Sequence, residues 1–124
     1  MKKKEENLSE PVWNQAELLD RVDHDQELLR ELLTIFRTDF PRTIHSLEAA
    51  VAGGDLKNSA SLSHALKGML SNLGGRRAAA AAARLEESAS AGDKASLKGG
   101  LDALELEAAS LLPELDAYMT EVRR

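Results

Sequence analysis

The chain has no cysteine and very few aromatic residues, and both absences narrow the structures and chemistries open to it. Without thiols it can form no disulfide, no thiolate nucleophile and no cysteine-based zinc site. Aromatic residues make up 3% of the sequence and hydrophobic residues 43%, so aliphatic side chains and alanine must build the core. Because strands favour aromatic and β-branched residues, this composition predicts helices.

Long apolar runs and an excess of positive charge are also missing. No stretch approaches the roughly 20 apolar residues that are needed to span a bilayer. The basic residues 2–4 are followed by Glu5 and Glu6 instead of an apolar segment, which argues against a signal peptide. The formal net charge of -5 disfavours binding to nucleic acids. We therefore expect a cytoplasmic protein that binds neither membranes nor nucleic acid.

The length of 124 residues suffices for one domain with one hydrophobic core. We expect residues 1–11 to form a flexible polar tail and residues 12–124 to fold as that domain. Asn14 can serve as the N-cap of a short first helix that ends near Val22.

A long amphipathic helix is predicted next, because apolar residues recur at steps of three and four from Leu29 to Val51. Asp23 and Gln26 have the spacing of a capping box for this helix. Pro41 lies inside the apolar pattern, where we expect a kink and not a domain boundary.

Glycine pairs at 53–54 and 74–75 end this helix and the following one, and Asp55 can cap the start of the second of these helices. A fourth helix contains the six alanines 78–83, and alanine is the strongest helix former. A fifth helix follows, and Pro113 is expected to kink or break it. The connections are short, so the predicted fold is all-α: an up-and-down antiparallel four-helix bundle with a short additional N-terminal helix.

The third helix carries the most informative side chains. At about 100° per residue, Leu66, Leu70 and Leu73 point to the core, whereas His64 points towards solvent. The residues that share the face of His64 are Ala60, Ser61, Lys67, Gly68 and Ser71. The histidine is therefore expected on the surface, surrounded by small side chains and one lysine.

This face has a chemical interpretation. An exposed neutral imidazole offers a lone pair that can attack phosphorus, and Lys67 can place an ammonium beside phosphoryl oxygens. Gly68 costs the helix about 1 kcal/mol relative to alanine, which suggests that another molecule approaches the backbone there. On these residues alone, a solvated histidine without a function remains the simpler interpretation.

The segment Ser63-His64-Ala65-Leu66-Lys67-Gly68, followed by Asn72-Leu73-Gly74, resembles the signature of histidine phosphotransfer (HPt) domains. That signature is a phosphorylated histidine, a leucine, Lys-Gly and then Asn-Leu-Gly. The similarity extends over roughly residues 12–120. Ala65 departs from the threonine or small polar residue that is common at its position.

The resemblance implies a phosphoryl carrier without a kinase site of its own. His64 would accept the phosphoryl group from an aspartate of a response-regulator receiver domain and pass it to another receiver, while Lys67 stabilises the phosphoryl oxygens. Mg²⁺ would belong to the receiver, so the chain would need no metal or cofactor. The residues expected under a docked partner are Ala60, Ser61, Gly68, Ser71 and Asn72.

Two other functions stay open: the phosphoacceptor domain of a chemotaxis-type histidine kinase, and a non-catalytic helical adaptor. The chain has no Gly-rich nucleotide motif, so it is not the kinase itself. A stand-alone protein and a segment of a hybrid histidine kinase would have the same sequence here. The expected partners are receiver domains and a histidine or hybrid kinase, and the expected state is a monomer.

The remaining ionisable residues are interpreted as structural. His24 belongs to a solvated acidic turn and His45 to an exposed or half-buried helix position. The three histidines lack the ligand spacing of a metal site. Glu86 and Glu87 are interpreted as a solvent-facing pair.

Overall fold

The protein is all-helical in a computed structural model that describes residues 10–122. A short N-terminal helix precedes four long antiparallel helices, which confirms the predicted bundle. Residues 1–9, and with them most of the predicted tail, lie outside the described residues, as do residues 123–124. The helices are α1 (Gln15–Arg21), α2 (Gln26–Ala52), α3 (Leu56–Asn72), α4 (Arg76–Ser90) and α5 (Leu97–Val122), and a 3₁₀ turn (Lys94–Ser96) precedes α5.

The helix starts follow the predicted caps with one exception. Asn14 caps α1 and Asp55 caps α3, each accepting a hydrogen bond from a backbone N–H of the first turn. The predicted capping box of Asp23 at the start of α2 is wrong. Asp23 and His24 have φ angles of 53° and 60°, so the chain turns back on itself there. Asp25 is the next residue that can reach the free N–H groups of α2, and it accepts from two of them.

Both helix-interior prolines lie within continuous helices. α2 runs through Pro41, and α5 runs through Pro113 without the predicted break. Each proline is exposed. Water can therefore bond to the backbone carbonyl that loses its helical donor, which reduces the cost of the proline.

Leucine and alanine dominate the core, as the low aromatic content requires. The single tryptophan, Trp13, is buried at one end of the bundle, and its Nε1 donates a hydrogen bond of 2.7 Å to the Leu73 carbonyl. Its ring meets the ring of Tyr118 edge-on, with centroids 5.6 Å apart. No helix between residues 10 and 122 combines the length and apolar composition needed to cross a bilayer.

Small side chains bring α3 and α4 close together, and this pair has the most extensive contact of any two helices. Ser59 and Ser63 of α3 are fully buried, and their hydroxyls have no hydrogen-bond partner among residues 10–122. Four of the six alanines 78–83 in α4 are buried as well. The close approach lets side chains of α4 reach the exposed face of α3.

Candidate functional site

His64 lies in the middle of α3 with its side chain 67% exposed. Leu66 and Leu70 on the opposite face are fully buried. Their burial sets the rotation of α3 about its own axis, and the imidazole is therefore directed away from the core, as the helical pattern predicts.

Glu86 of α4 connects His64 to Lys67. Its Oε2 lies 3.0 Å from Nδ1 of His64, and its Oε1 lies 2.8 Å from Nζ of Lys67. The prediction that Glu86 faces solvent is therefore wrong, whereas Glu87 is exposed. The position of Glu86 along α4 indicates this placement. Glu86 follows the buried Ala82 by one turn and so lies at the edge of the buried face of the helix.

Hydrogen bonding favours the ionised form of this carboxyl group. The hydrogen bond from Lys67 lowers the pKa of Glu86, and the bond with His64 adds to this effect, while partial burial opposes it. At neutral pH the carboxylate is ionised and can only accept hydrogen bonds. Nδ1 of a neutral His64 ring must therefore carry the hydrogen, which leaves the lone pair on Nε2.

Gly68 lies one turn after His64 on an open surface. A Cβ atom placed on Gly68 would meet no atom within 4 Å among the described residues. Neither helix packing nor a turn requires glycine at this position. The other predicted docking residues are either exposed, as are Ser61 and Asn72, or half-buried, as are Ala60 and Ser71.

Asn72 is the last residue of α3, and its side chain makes no hydrogen bond within residues 10–122. The carbonyls at this end of α3 are bound instead by the N-terminal segment. Arg21 Nη1 donates to the Ser71 carbonyl at 2.8 Å, and the backbone N–H of Asn14 donates to the Gly74 carbonyl at 2.9 Å. These two hydrogen bonds join residues that are far apart in the sequence, so no local sequence pattern predicts them.

The other two histidines lie apart from this cluster. Nε2 of His24 is 3.1 Å from Oδ1 of Asp20, and Nδ1 of His45 is 3.8 Å from Oε1 of Glu48. Across the described part of the chain, no three histidine, aspartate or glutamate side chains gather as metal ligands. The only histidine next to a lysine and an open backbone in residues 10–122 is His64.

The stability of the protein should depend on pH through Glu86. Because its folded-state pKa is lowered, Glu86 stabilises the fold above the ordinary carboxyl pKa, and this contribution disappears as the pH falls through the lowered value. We expect the melting temperature of wild type to fall more steeply than that of Glu86→Gln between pH 7 and strongly acidic pH. Thermal unfolding at a series of pH values measures the difference.

Glu87→Gln is the matched control, since Glu87 is exposed and makes no ion pair within the described residues. Its pH profile should follow that of wild type. Identical profiles for wild type and Glu86→Gln would mean that the three-residue contact does not persist in solution.

The chain is similar to known histidine phosphotransfer proteins in both sequence and structure. A model of the Hpt domain family matches residues 31–124, a range that includes all of α3 and α4. The crystal structure of histidine-containing phosphotransfer protein B (HptB) from Pseudomonas aeruginosa PAO1 is similar, with a TM-score of 0.84 and 26% sequence identity. The similarity covers 91% of this chain and 98% of that chain. A comparison with curated proteins gives no match.

Proposed function

Because the chain belongs to the Hpt domain family, we propose that it carries a phosphoryl group on His64 between the proteins of a phosphorelay. The observation that carries this assignment is the contact of His64 Nδ1 with an ionised carboxylate, which leaves the Nε2 lone pair free. The domain is proposed to comprise residues 12–124, since Val12 and Trp13 already pack with the core.

The donor is an aspartyl phosphate on a receiver domain. Nε2 of His64 attacks the phosphorus in line, and the bond to the aspartate oxygen breaks with its electron pair on the leaving carboxylate. The ring becomes positively charged as Nε2 gives up its lone pair, and the carboxylate of Glu86 at Nδ1 stabilises that charge. The same steps in reverse pass the group to a second receiver.

Lys67 supplies a positive charge next to the phosphoryl group. Its ammonium, held by Glu86 at 2.8 Å, is positioned beside His64 before any partner arrives. Mg²⁺ and the acidic pocket around the reacting aspartate are features of the receiver. This chain therefore contributes a nucleophile and fixed charges, and it acts as a stoichiometric carrier.

The partner is proposed to dock over the exposed face of α3. Gly68 lets the receiver backbone approach the helix one turn from His64, because no side chain rises there. The small neighbours Ser61 and Ser71 extend this opening along the helix. The remaining docking residues in the proposal are Ala60 and Asn72.

Transfer from a phosphorylated receiver tests the function directly. Receiver domains of the source organism are phosphorylated with acetyl phosphate, mixed with the chain, and the phosphate is mapped by mass spectrometry. We expect an acid-labile phosphate on His64. If no receiver labels the chain, a non-catalytic adaptor becomes the better interpretation.

Lys67→Ala should slow transfer without abolishing it. Lys67 is 37% exposed, and an exposed charge pair contributes about 0–1 kcal/mol, so we expect a decrease of up to about fivefold. Rapid-quench measurement of the transfer rate, together with the lifetime of the phosphohistidine, gives the effect. Lys98→Ala makes the same charge change on α5 and serves as the control. A rate and lifetime equal to those of wild type would remove Lys67 from the mechanism.

A further inference from the structure

The segment formed by residues 13–21, which includes α1, is hydrogen-bonded to the end of α3. The carbonyls of residues 71, 73 and 74 accept hydrogen bonds from it at 2.8, 2.7 and 2.9 Å. The donors are the side chains of Arg21 and Trp13 and the backbone N–H of Asn14. Carbonyls at the end of a helix lack helical donors, and this segment supplies donors to them.

Gly74 is the point where the segment lies closest to the turn between α3 and α4. A Cβ atom placed on Gly74 would be 2.5 Å from the carbonyl oxygen of Asn14, and the φ angle of Gly74 is 89°. Glycine is required on both counts, because no side-chain carbon fits in that space and a left-handed backbone strains other residues. The backbone of the segment is therefore packed directly against the backbone of the turn.

The same segment contacts the start of α4. Arg76 is the first residue of α4, where its positive charge opposes the helix dipole, and the N-cap Gly75 has no side chain to offset it. Glu17 of α1 supplies a negative charge there, since its Oε2 accepts from Nε of Arg76 at 3.0 Å. Its Oε1 lies 3.6 Å from Nη2 of Arg21. We call residues 13–21 the N-terminal clamp, because they bind the ends of both helices.

The clamped helices are the two that carry His64 and Glu86. His64 is 10 residues before Gly74 and Glu86 is 12 residues after it, so the two lie at a similar height, about 15 Å from the turn. Between the helices, the buried hydroxyls of Ser59 and Ser63 form no hydrogen bond with any residue from 10 to 122. Small side chains interdigitate only shallowly, so they fix the relative position of two helices weakly. A displacement of about 0.5 Å would bring the 3.0 Å contact of His64 with Glu86 to the limit of a hydrogen bond.

We propose that the N-terminal clamp positions α3 against α4 so that Glu86 meets Nδ1 of His64, which makes Glu17 and Arg21 positioning residues for phosphoryl transfer. The proposal rests on the proposed function for the reaction, whereas the contact can be measured in the free chain. Glu17 and Arg21 make their bonds at the turn, so their effect on the ring passes through the two helices. The clamp precedes residues 31–124, the range that the Hpt family model matches.

The test removes both charged side chains of the clamp in one variant, Glu17→Gln with Arg21→Met, which leaves the net charge unchanged. The control, Arg37→Met with Asp116→Asn, removes an ion pair of 3.0 Å between α2 and α5 and also conserves the net charge. Thermal unfolding is measured for each variant. Arg21→Met alone replaces the double variant if that variant does not fold.

The first measurement is the NMR chemical shifts of the His64 ring nitrogens in the free chain, at mildly alkaline pH where imidazoles are neutral. Glu86→Ala provides the shifts of a ring without the contact. We expect wild type and the control to keep the hydrogen on Nδ1, and the clamp variant to shift towards Glu86→Ala. Arg21→Lys should stay close to wild type, because lysine keeps a cation that can donate to the same carbonyl.

The second measurement is the rate of transfer from a receiver at saturating concentration. We expect the rate to fall about tenfold in the clamp variant, because small errors of position are costly for transfer, and to stay at the wild-type value in the control. Arg21→Lys should retain most of the rate. A loss of this kind with matching ring shifts would support the proposal.

Wild-type ring shifts in the clamp variant would show that the clamp only supports the fold, and would overturn the proposal even if the melting temperature fell. Altered shifts with an unchanged transfer rate, or equal losses in the clamp and control variants, would overturn it as well. A wild-type chain that no receiver labels contradicts the proposed function instead. In that case the ring shifts still decide whether the clamp positions His64 against Glu86.

Discussion

A His64→Gln variant should accept no phosphoryl group and still fold. Glutamine has no nucleophilic ring nitrogen, although its amide can still donate to Glu86. The His64 side chain is 67% exposed, so we expect the free energy of unfolding to change by no more than about 0.5 kcal/mol. Receiver-to-chain transfer and thermal unfolding are measured on the same sample.

His45→Gln is the matched control, because His45 is also an exposed helical histidine but lies on α2 outside the cluster. It should be labelled like wild type. Full labelling of His64→Gln, or a phosphate that survives acid, would show that another residue accepts the group.

Gly68→Gln should slow phosphoryl transfer without lowering the stability of the protein. Gly68 weakens α3, so Gly68→Ala should raise the free energy of unfolding by up to about 1 kcal/mol, and glutamine is almost as good a helix former as alanine. The long side chain would rise one turn from His64, where the receiver must approach. Because small errors of position are costly for transfer, we expect the rate to fall about tenfold or more.

Gly99→Gln provides the control, since a Cβ on Gly99 of α5 also meets no atom within 4 Å in the described structure. It should leave transfer unchanged. If Gly68 instead faced a neighbouring helix in solution, glutamine would overpack the bundle and cost about 1–3 kcal/mol. Lost stability combined with unchanged transfer per folded molecule would therefore contradict the open surface around His64.

Local sequence rules correctly predicted the helix faces, caps and ends that depend on residues close together in the sequence. The apolar stripe from Leu29 to Val51, the cap at Asp55 and the glycines 53–54 depend on residues a few positions apart, and the structure has them as predicted. The same rules failed where two neighbouring residues could each take the same structural role. Asp23 and Asp25 could each cap α2, and the left-handed φ angles of the α1–α2 turn decide for Asp25.

The sequence by itself determined the helical fold and the exposure of His64, because burial of the leucines on one side of α3 leaves His64 on the other. Only the tertiary structure decided that Glu86, 22 residues away, holds His64 and Lys67. Helical periodicity defines which face of α4 is apolar, but not which neighbour that face meets or how closely. The small side chains between α3 and α4 set that distance, and the contact exists only once the two helices have packed.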